Sequence, residues 1–405
     1  MGKPVYLDHH ATTPVDPRVL QAMLPYFSEK FGNPASRNHA FGWEAEQAVE
    51  HARSRIAALI GASPREMIFT SGATESVNLA LKGVAEAYQG RGDHIVTVVT
   101  EHRAVLDTCR RLEARGLRVT YLPVDREGLV NPDEVRRAIT ERTILVSVMF
   151  ANNEIGVIQP IREISRVVRE RGVLFHSDAT QAVGKIPVHV EEDGIDLLSF
   201  SAHKLYGPKG VGALYVRSRN PRVELVPQID GGGHERGLRS GTLNVPAIVG
   251  FGEACAICQC EMEEEGRRLA ALRDRLMNRL LAELDEVVIH GSLKHRLPNN
   301  LNLSFLGVEA TTLMMNVKEI AISSGSACSS ATPEPSHVLR ALGLPADLAR
   351  GAIRIGLGRF NTEEEIEYAA GRLIEAVRKL REQSPIYQTM KEKLRSASDA
   401  GRQNC

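Results

Sequence analysis

Four stretches of the chain carry residue types that could do chemistry together. In SGATESVNLALKG (71–83) an apolar run ends at Thr70, Ser71 and Gly72 turn the chain, and a helix is expected from about Thr74. Backbone N–H groups at such a helix start, with the dipole behind them, make an anion site; an ordinary β–α turn with a capping Thr fits the same residues. In VLFHSDATQAVGK, Asp178 follows an apolar run. A carboxylate there can keep a ring nitrogen protonated, which turns a pyridine into an electron sink, or it can cap the next turn. In DLLSFSAHKLYGPKG, Lys204 lies just past a buried-looking run, beside Ser201 and His203. A lysine so placed is poorly solvated, which lowers its pKa and favours the neutral amine that a Schiff base requires. A snorkelling surface lysine describes Lys209 better. The fourth is Cys328, set in ISSGSACSSATPEPS among small polar neighbours, as in an accessible loop rather than a core; taken alone it reads better as a small residue in a Ser/Ala-rich turn.

These residues need a scaffold, and the apolar pattern supplies one. Ala45, Ala48, Val49, Ala52, Ile56, Leu59 and Ile60 recur at helical spacing, with Gly61 as a stop. The runs MIFT (67–70), HIVTVVT (94–100), LRVTYL (117–122), ILVSVMF (144–150) and VLFHS (173–177) follow, separated by amphipathic stretches such as AVLDTCRRLEARG and IREISRVVRERG. Continuous β-rich runs alternating with helices predict an α/β fold, a mainly parallel sheet covered on both faces. Ligands of such sheets bind outside the carboxyl ends of the strands, where the first three candidates fall. Near residue 260 the texture changes to a long charged helix, the short runs EVVIHG, LNLSF, IAISS and AIRIGL, and a last helix through TEEEIEYAAGRLIEAVRKLREQ. This predicts a smaller α+β domain. The expected division is 13–260 for the large domain, 1–12 with 261–387 for the small one carrying the Cys328 loop, and a polar tail over 388–405.

Composition narrows the field. At 405 residues and 43% hydrophobic, the chain can bury a sizeable interior, and equal totals of 50 basic and 50 acidic residues argue against a polyanion-binding role. No direct nucleic-acid or membrane partner is expected. The first residues show no apolar leader, the stretch 247–258 is broken by Glu253 and too short to span a bilayer, and six cysteines make no disulfide framework. A cytoplasmic setting follows as the expectation.

Taken together the motifs resemble the fold-type-I pyridoxal-phosphate enzymes, and more narrowly the cysteine desulfurases of the housekeeping iron–sulfur-assembly type within the class-V aminotransferase family. The matching segments include YLDHHATTPVDPRV, FGNPASRNHAFGWEAE, TEHRAVLDTCR, NNEIGVIQP, SDATQAVGK, SFSAHKLYGPKG, GGGHERGLRSGTLNVP, SSGSACSS, EPSHVLRALG and IRIGLGRF, in family order over most of the chain. The resemblance implies a seven-stranded sheet and pyridoxal 5'-phosphate held by Lys204. It pairs Asp178 with the ring nitrogen, sets Gln181 on the phenolic oxygen, and stacks His102 on the ring as a further proton carrier. Ala73, Thr74, Ser201 and His203 would cradle the phosphate. Thr242 would reach the cofactor of a neighbouring subunit in a homodimer. Asn153, beside the cofactor, and Arg354 would hold the substrate carboxylate.

The implied reaction takes L-cysteine to L-alanine with a persulfide on Cys328. The sulfur would pass to an iron–sulfur scaffold protein and, as a further outlet, to carriers for tRNA thiolation. No resident metal is implied, although Cys328 could ligate a nascent cluster on a partner. Within this frame Cys328 reads as the nucleophile, because a sulfur acceptor must be accessible and must ionise. A selenocysteine lyase or a small-substrate aminotransferase is the nearest rival, and an aminotransferase has no use for such a thiol. A silent scaffold for sulfur-transfer partners would not need Lys204, Asp178, His102 and Cys328 together.

The remaining cysteines and histidines are expected to be structural. Cys255, Cys258 and Cys260 have C-x-x-C spacing but fall on a helix without a second ligand pair, and Cys109 lies on an amphipathic helix. Cys405 is an exposed tail thiol. His9 and His10 would point to opposite faces of an extended strand, near the substrate entrance without ligating a metal.

Overall fold

The computed structural model describes residues 4–324, 336–384 and 387. The strands among them, in chain order, are β1 (Val5–Tyr6), β2 (Met67–Thr70), β3 (His94–Val98), β4 (Arg118–Leu122), β5 (Thr143–Ser147), β6 (Leu174–Asp178), β7 (Leu197–Ser201), β8 (Gly212–Val216), β9 (Val287–Ile289), β10 (Asn300–Phe305), β11 (Ile320–Ala321), β12 (Ser323–Ser324) and β13 (Ala352–Gly356). The chain forms two compact units: His10–Gly266 with Ser292–Leu297, and Met1–His9 with Arg267–Gly291 and Pro298–Cys405.

The larger unit is built on a seven-stranded sheet of order β2-β8-β7-β6-β5-β3-β4. Strands β4, β3, β5, β6 and β7 run parallel, and β8 is antiparallel to both its neighbours. Six of the seven, all but the edge strand β4, are buried along their whole length, as a sheet covered on both faces requires. The reversal at β8 has a local cause. A short connection with Gly210 at φ 82° follows β7 and folds the chain straight back, where a parallel partner would need a helical crossover. Lys204 sits on that connection, in the 3-10 turn Ala202–Lys204.

The helix expected over 45–60 spans Ala40–Leu59 and buries Ala45, Val49, Ala52 and Ile56. Gly61 ends it at φ 65°, and a Cβ there would strike the His189 ring. The apolar stretch 247–258 and the charged helix after 260 are one 39-residue helix, Val245–Glu283. Its apolar first half passes into the core, where Phe251 meets Phe200 edge-on at 5.5 Å. By composition that helix is long enough to cross a membrane, but burial in the core accounts for its apolar residues.

The smaller unit contains a four-stranded sheet of order β12-β13-β10-β9 and the β1–β11 pair. Its last helix, Glu363–Glu382, opens with Thr362 and Glu365 in a capping box and buries Ile366, Ala370, Leu373 and Val377.

A polar seam crosses the centre of the large sheet. The His176 ring on β6 bridges Ser147 Oγ on β5 (2.8 Å) and Ser199 Oγ on β7 (2.9 Å), fully buried. Burial pushes the imidazole from 6.5 down to about 4. The unfolded chain takes up this proton near pH 6.5 and the folded chain only near pH 4, so unfolding binds a proton in between. Stability from this group is complete above pH 6.5 and is lost on acidification towards pH 4, by roughly 3 kcal/mol. Urea unfolding across that window should show a slope of nearly one proton that a His176→Asn variant lacks; an identical slope in the variant would show that His176 is not the group.

Candidate active site

The candidate residues of the large unit fall where the strands end. His102 follows β3, Asn153 follows β5, Asp178 closes β6, and Ser201 closes β7. The 71–74 turn follows β2, which runs parallel to β7 across β8. All lie along the carboxyl edge of one sheet, at and beside the point where strand order reverses, which is where α/β sheets bind ligands.

Asp178 is buried, and its Oδ1 accepts from the Thr180 N–H (3.0 Å) and hydroxyl (2.5 Å), while Oδ2 has no hydrogen bond among the described residues. Beside it is a residue that the sequence reading passed over. Glu101 is fully buried, and its Oε1 accepts from the Met149 N–H at 2.5 Å. Burial, and then the charge of Asp178, push this carboxyl well above the usual carboxylate range. Both effects favour the neutral form of Glu101 over a second negative charge beside Asp178. A charged residue directly after the HIVTVVT run was the available signal.

Gln181 and Lys204 share one anchor, the segment after His10. The Gln181 carboxamide meets His10 Nδ1 at 2.9 Å through Oε1 and donates to the His10 carbonyl at 3.0 Å. The Lys204 ammonium donates to the carbonyls of His10 (2.5 Å) and Ala11 (2.7 Å). His203 bonds Thr12 Oγ1 at 3.0 Å, and its carbonyl receives both the N–H and the hydroxyl of Thr13 at 3.0 Å. Burial, then the charges of Lys204 and Lys209, push His203 from 6.5 down to about 4, so it is neutral at working pH. His9 and His10 stand in a turn, not in an extended strand. His9 bonds the Gly356 carbonyl (3.0 Å) in the smaller unit and His10 bonds Gln181 in the larger one. His10 therefore belongs to the site through Gln181 and Lys204.

His102 caps the helix Arg103–Glu113, its Nδ1 accepting from the Ala104 N–H at 3.1 Å, so a neutral ring carries its proton on Nε2. Asn153 is positioned by its neighbour: the Asn152 side chain bonds the Thr100 carbonyl (2.9 Å) and the N–H groups of Glu154 (2.8 Å) and Ile155 (3.0 Å). Ala73 and Thr74 begin the helix Ala73–Ala87, and Ser76 ties it to Thr70 by a 2.8 Å hydroxyl contact. Gly212 pairs with both Thr70 and Ser201, and a Cβ on it would come within 2.6 Å of Gly72. Only glycine there lets the 71–73 turn lie close beside the end of β7, bringing the helix start and Ser201 together.

These residues fit a pyridine ring bearing an aldehyde and a phosphate. A carboxylate oxygen is left for a ring N–H, a helix start and a hydroxyl suit the dianion, and a lysine stands on the next connection. Arg354 lies in the smaller unit, on β13, buried, with Nη2 2.8 Å from Asp8 Oδ1. Thr242 is exposed in the large unit. Cys328 and Cys405 lie outside the described residues. Cys109, Cys255 and Cys258 are buried among core side chains, whereas Cys260 is exposed rather than packed. No cluster of metal-ligating side chains occurs among the described residues.

The sheet and its edge residues define the fold-type-I pyridoxal-phosphate class. A model of the class-V aminotransferase family matches residues 5–369, and the chain belongs to that family. It is 60% identical over 392 residues to "Cysteine desulfurase IscS" of Anaeromyxobacter dehalogenans, covering 97% of both chains. It is 54% identical over 389 residues to the protein of that name in Rickettsia massiliae, covering 96% of this chain and 95% of the other. Among solved structures, a "NifS-like protein" superposes with TM-score 0.86 at 43% identity, over 92% of this chain and 98% of its own. "SspA in complex with cysteine" gives 0.77 at 39%, over 88% and 100%.

Proposed function

We propose that this chain is a pyridoxal-phosphate-dependent cysteine desulfurase that converts L-cysteine to L-alanine and takes the sulfur as a persulfide on Cys328. The observation that carries the reading is the joining of Lys204, Gln181 and His10 in one hydrogen-bonded group beside Asp178, in a chain alike over nearly its full length to named cysteine desulfurases.

When bound, pyridoxal phosphate supplies an electron sink that lets the substrate's Cα proton leave and weakens its C–S bond. Asp178 would hold the proton on the ring nitrogen, Gln181 would hydrogen-bond the phenolic oxygen, and His102 would stack on the ring. Ala73, Thr74, Ser201 and neutral His203 receive the phosphate. Lys204 must first leave the two carbonyls that hold it in order to anchor the cofactor. Arg354, kept in one direction by Asp8, offers a guanidinium to the substrate carboxylate, with Asn153 as its second donor. Lys204 and His102 would be the groups that take up and return the substrate's protons. The Cys328 thiolate attacks the substrate sulfur, an S–S bond forms as the C–S bond breaks, the electron pair returns to the substrate carbon, and a proton at Cβ completes alanine.

The sulfur goes on to iron–sulfur cluster assembly through a scaffold protein, with carriers for tRNA thiolation as a second outlet, in the cytoplasm. A homodimer suits the exposed apolar side chains Leu24, Phe27, Phe31, Phe41 and Trp43, a patch that a second copy would cover; Thr242 then serves the cofactor of that copy. The deciding experiment is an ultraviolet–visible spectrum of the purified protein with and without L-cysteine, with sulfide and alanine measured together. Cofactor absorbance that shifts on adding L-cysteine, with sulfide and alanine in equal amounts, is expected. A colourless protein that pyridoxal phosphate cannot reconstitute, or pyruvate in place of alanine, would overturn the reading.

A further inference from the structure

Within the segment 231–242 only Glu235 and Ser240 are buried; His234, Leu238 and Arg239 are half-buried and the rest are exposed. Glu235 is driven inward. Its carboxylate accepts both terminal nitrogens of Arg53 at 2.8 Å and the Phe69 N–H at 2.7 Å, and both side chains are almost wholly buried. Arg53 also donates to the Met67 carbonyl at 2.9 Å and lies over the Phe69 ring, 4.5 Å from its centre. The next residue, Arg236, reaches the same Met67 carbonyl at 2.6 Å.

Glu235 and Arg236 hold φ values of 48° and 57°, a left-handed conformation that costs any non-glycine residue. Such a pair persists only where its surroundings over-determine it. The rest of the segment is closed on this anchor: Gly233 N–H donates to Ser240 Oγ, Gly241 N–H to His234 Nδ1, and Arg239 meets Glu75 at 2.8 Å. Glu75 in turn accepts the Ser71 N–H of the phosphate turn at 2.8 Å.

We infer that Arg53 and Glu235 are positioning residues, a buried fork that fixes the 231–242 segment so that it presents Thr242 to the cofactor phosphate of a second copy of this chain. This rests on the role given to Thr242 above. A bidentate pair suits such a task, because it sets angle as well as distance. Burying both ions repays its desolvation only when the geometry is complete, so the segment has one favoured seat.

The test replaces both charges with neutral groups of similar size, Arg53→Met with Glu235→Gln, so that no lone ion is left buried and the Phe69 N–H keeps an acceptor. Hydrogen exchange on the holoenzyme should be about tenfold or more faster over 231–242 and unchanged in β5 and β6. The dissociation constant for pyridoxal phosphate should rise about fivefold or more, while that for pyridoxal, which has no phosphate, stays as it was. Unchanged exchange over 231–242 would overturn the tie. Faster exchange with equal loss for both compounds would overturn its link to the phosphate. If the double variant does not fold, Arg53→Lys, which keeps the charge but not the fork, should give the same phosphate-selective loss in smaller measure, and full affinity in it would refute the inference. Thr242→Val separates the two readings. Full phosphate-selective affinity in that variant removes the role of Thr242, while the exchange result still decides whether Arg53 and Glu235 seat the segment.

Discussion

Lys204→Ala should reduce cysteine turnover by about 10^3-fold or more and abolish the borohydride-reducible link between protein and cofactor. The prediction follows from where the amine stands. Its 3-10 turn joins β7 to β8, and its ammonium is set against the carbonyls of His10 and Ala11, next to the Gln181 carboxamide. Other lysines of the unit are poorly placed to substitute. Lys185 is buried over the Tyr206 ring at 4.1 Å with Glu265 3.8 Å away, and Lys209 is exposed. The variant should still fold, since no core contact is lost, and Asp178 and Gln181 should still retain some cofactor non-covalently. Mass spectrometry of borohydride-treated, digested protein checks the link. Cofactor still attached to the protein would hand the role to another lysine.

What could be read from the residues alone was the part governed by periodicity. Five strands of the large sheet begin or end within about three residues of the apolar runs that predict them; four of these are buried along their whole length and so must be largely apolar, while the edge strand β4 is only partly covered. The antiparallel β8 was hidden, since a run such as GALYV does not reveal its direction; the hairpin depends on the turn before it. The 39-residue helix Val245–Glu283 was hidden by its change of partner: its first half is apolar because it lies in the core, and its second is charged because one face meets solvent.

The site divides in the same way. Asp178 and Lys204 show themselves by ending apolar runs. Glu101, His10 and Arg53 do not, since their roles come from neighbours far away in sequence: Asp178 for Glu101, Gln181 for His10, and Glu235 for Arg53. Glu235 lay within a glycine-rich stretch that reads as a loop, and only its burial against Arg53 reveals it as an anchor.

Cys328→Ala should bring sulfide and alanine production to background while leaving the cofactor absorbance, and its first response to L-cysteine, intact. A desulfurase needs a thiolate, and the described cysteines are poor sources of one. Burial above all pushes Cys109 up to about 12, so this thiol stays protonated at pH 8. Burial likewise pushes Cys255 well above its usual value, and Cys258 is enclosed in the same core. Cys260 is the one exposed cysteine among the described residues, which makes Cys260→Ala the control with full activity. The chain on either side of Cys328 is well secured. Ser324 pairs in β12 with Ile353 of β13, and the Ser336 hydroxyl caps the helix His337–Ala341. Cys328 stands four residues beyond Ser324 in the sequence. Alkylation of the enzyme after a single turnover, followed by digestion, should find the labelled persulfide on the peptide carrying residue 328. Undiminished sulfide from the Cys328→Ala protein under reductant, or the label on residue 260, would move the nucleophile elsewhere and leave the electron-sink half of the site standing without its acceptor.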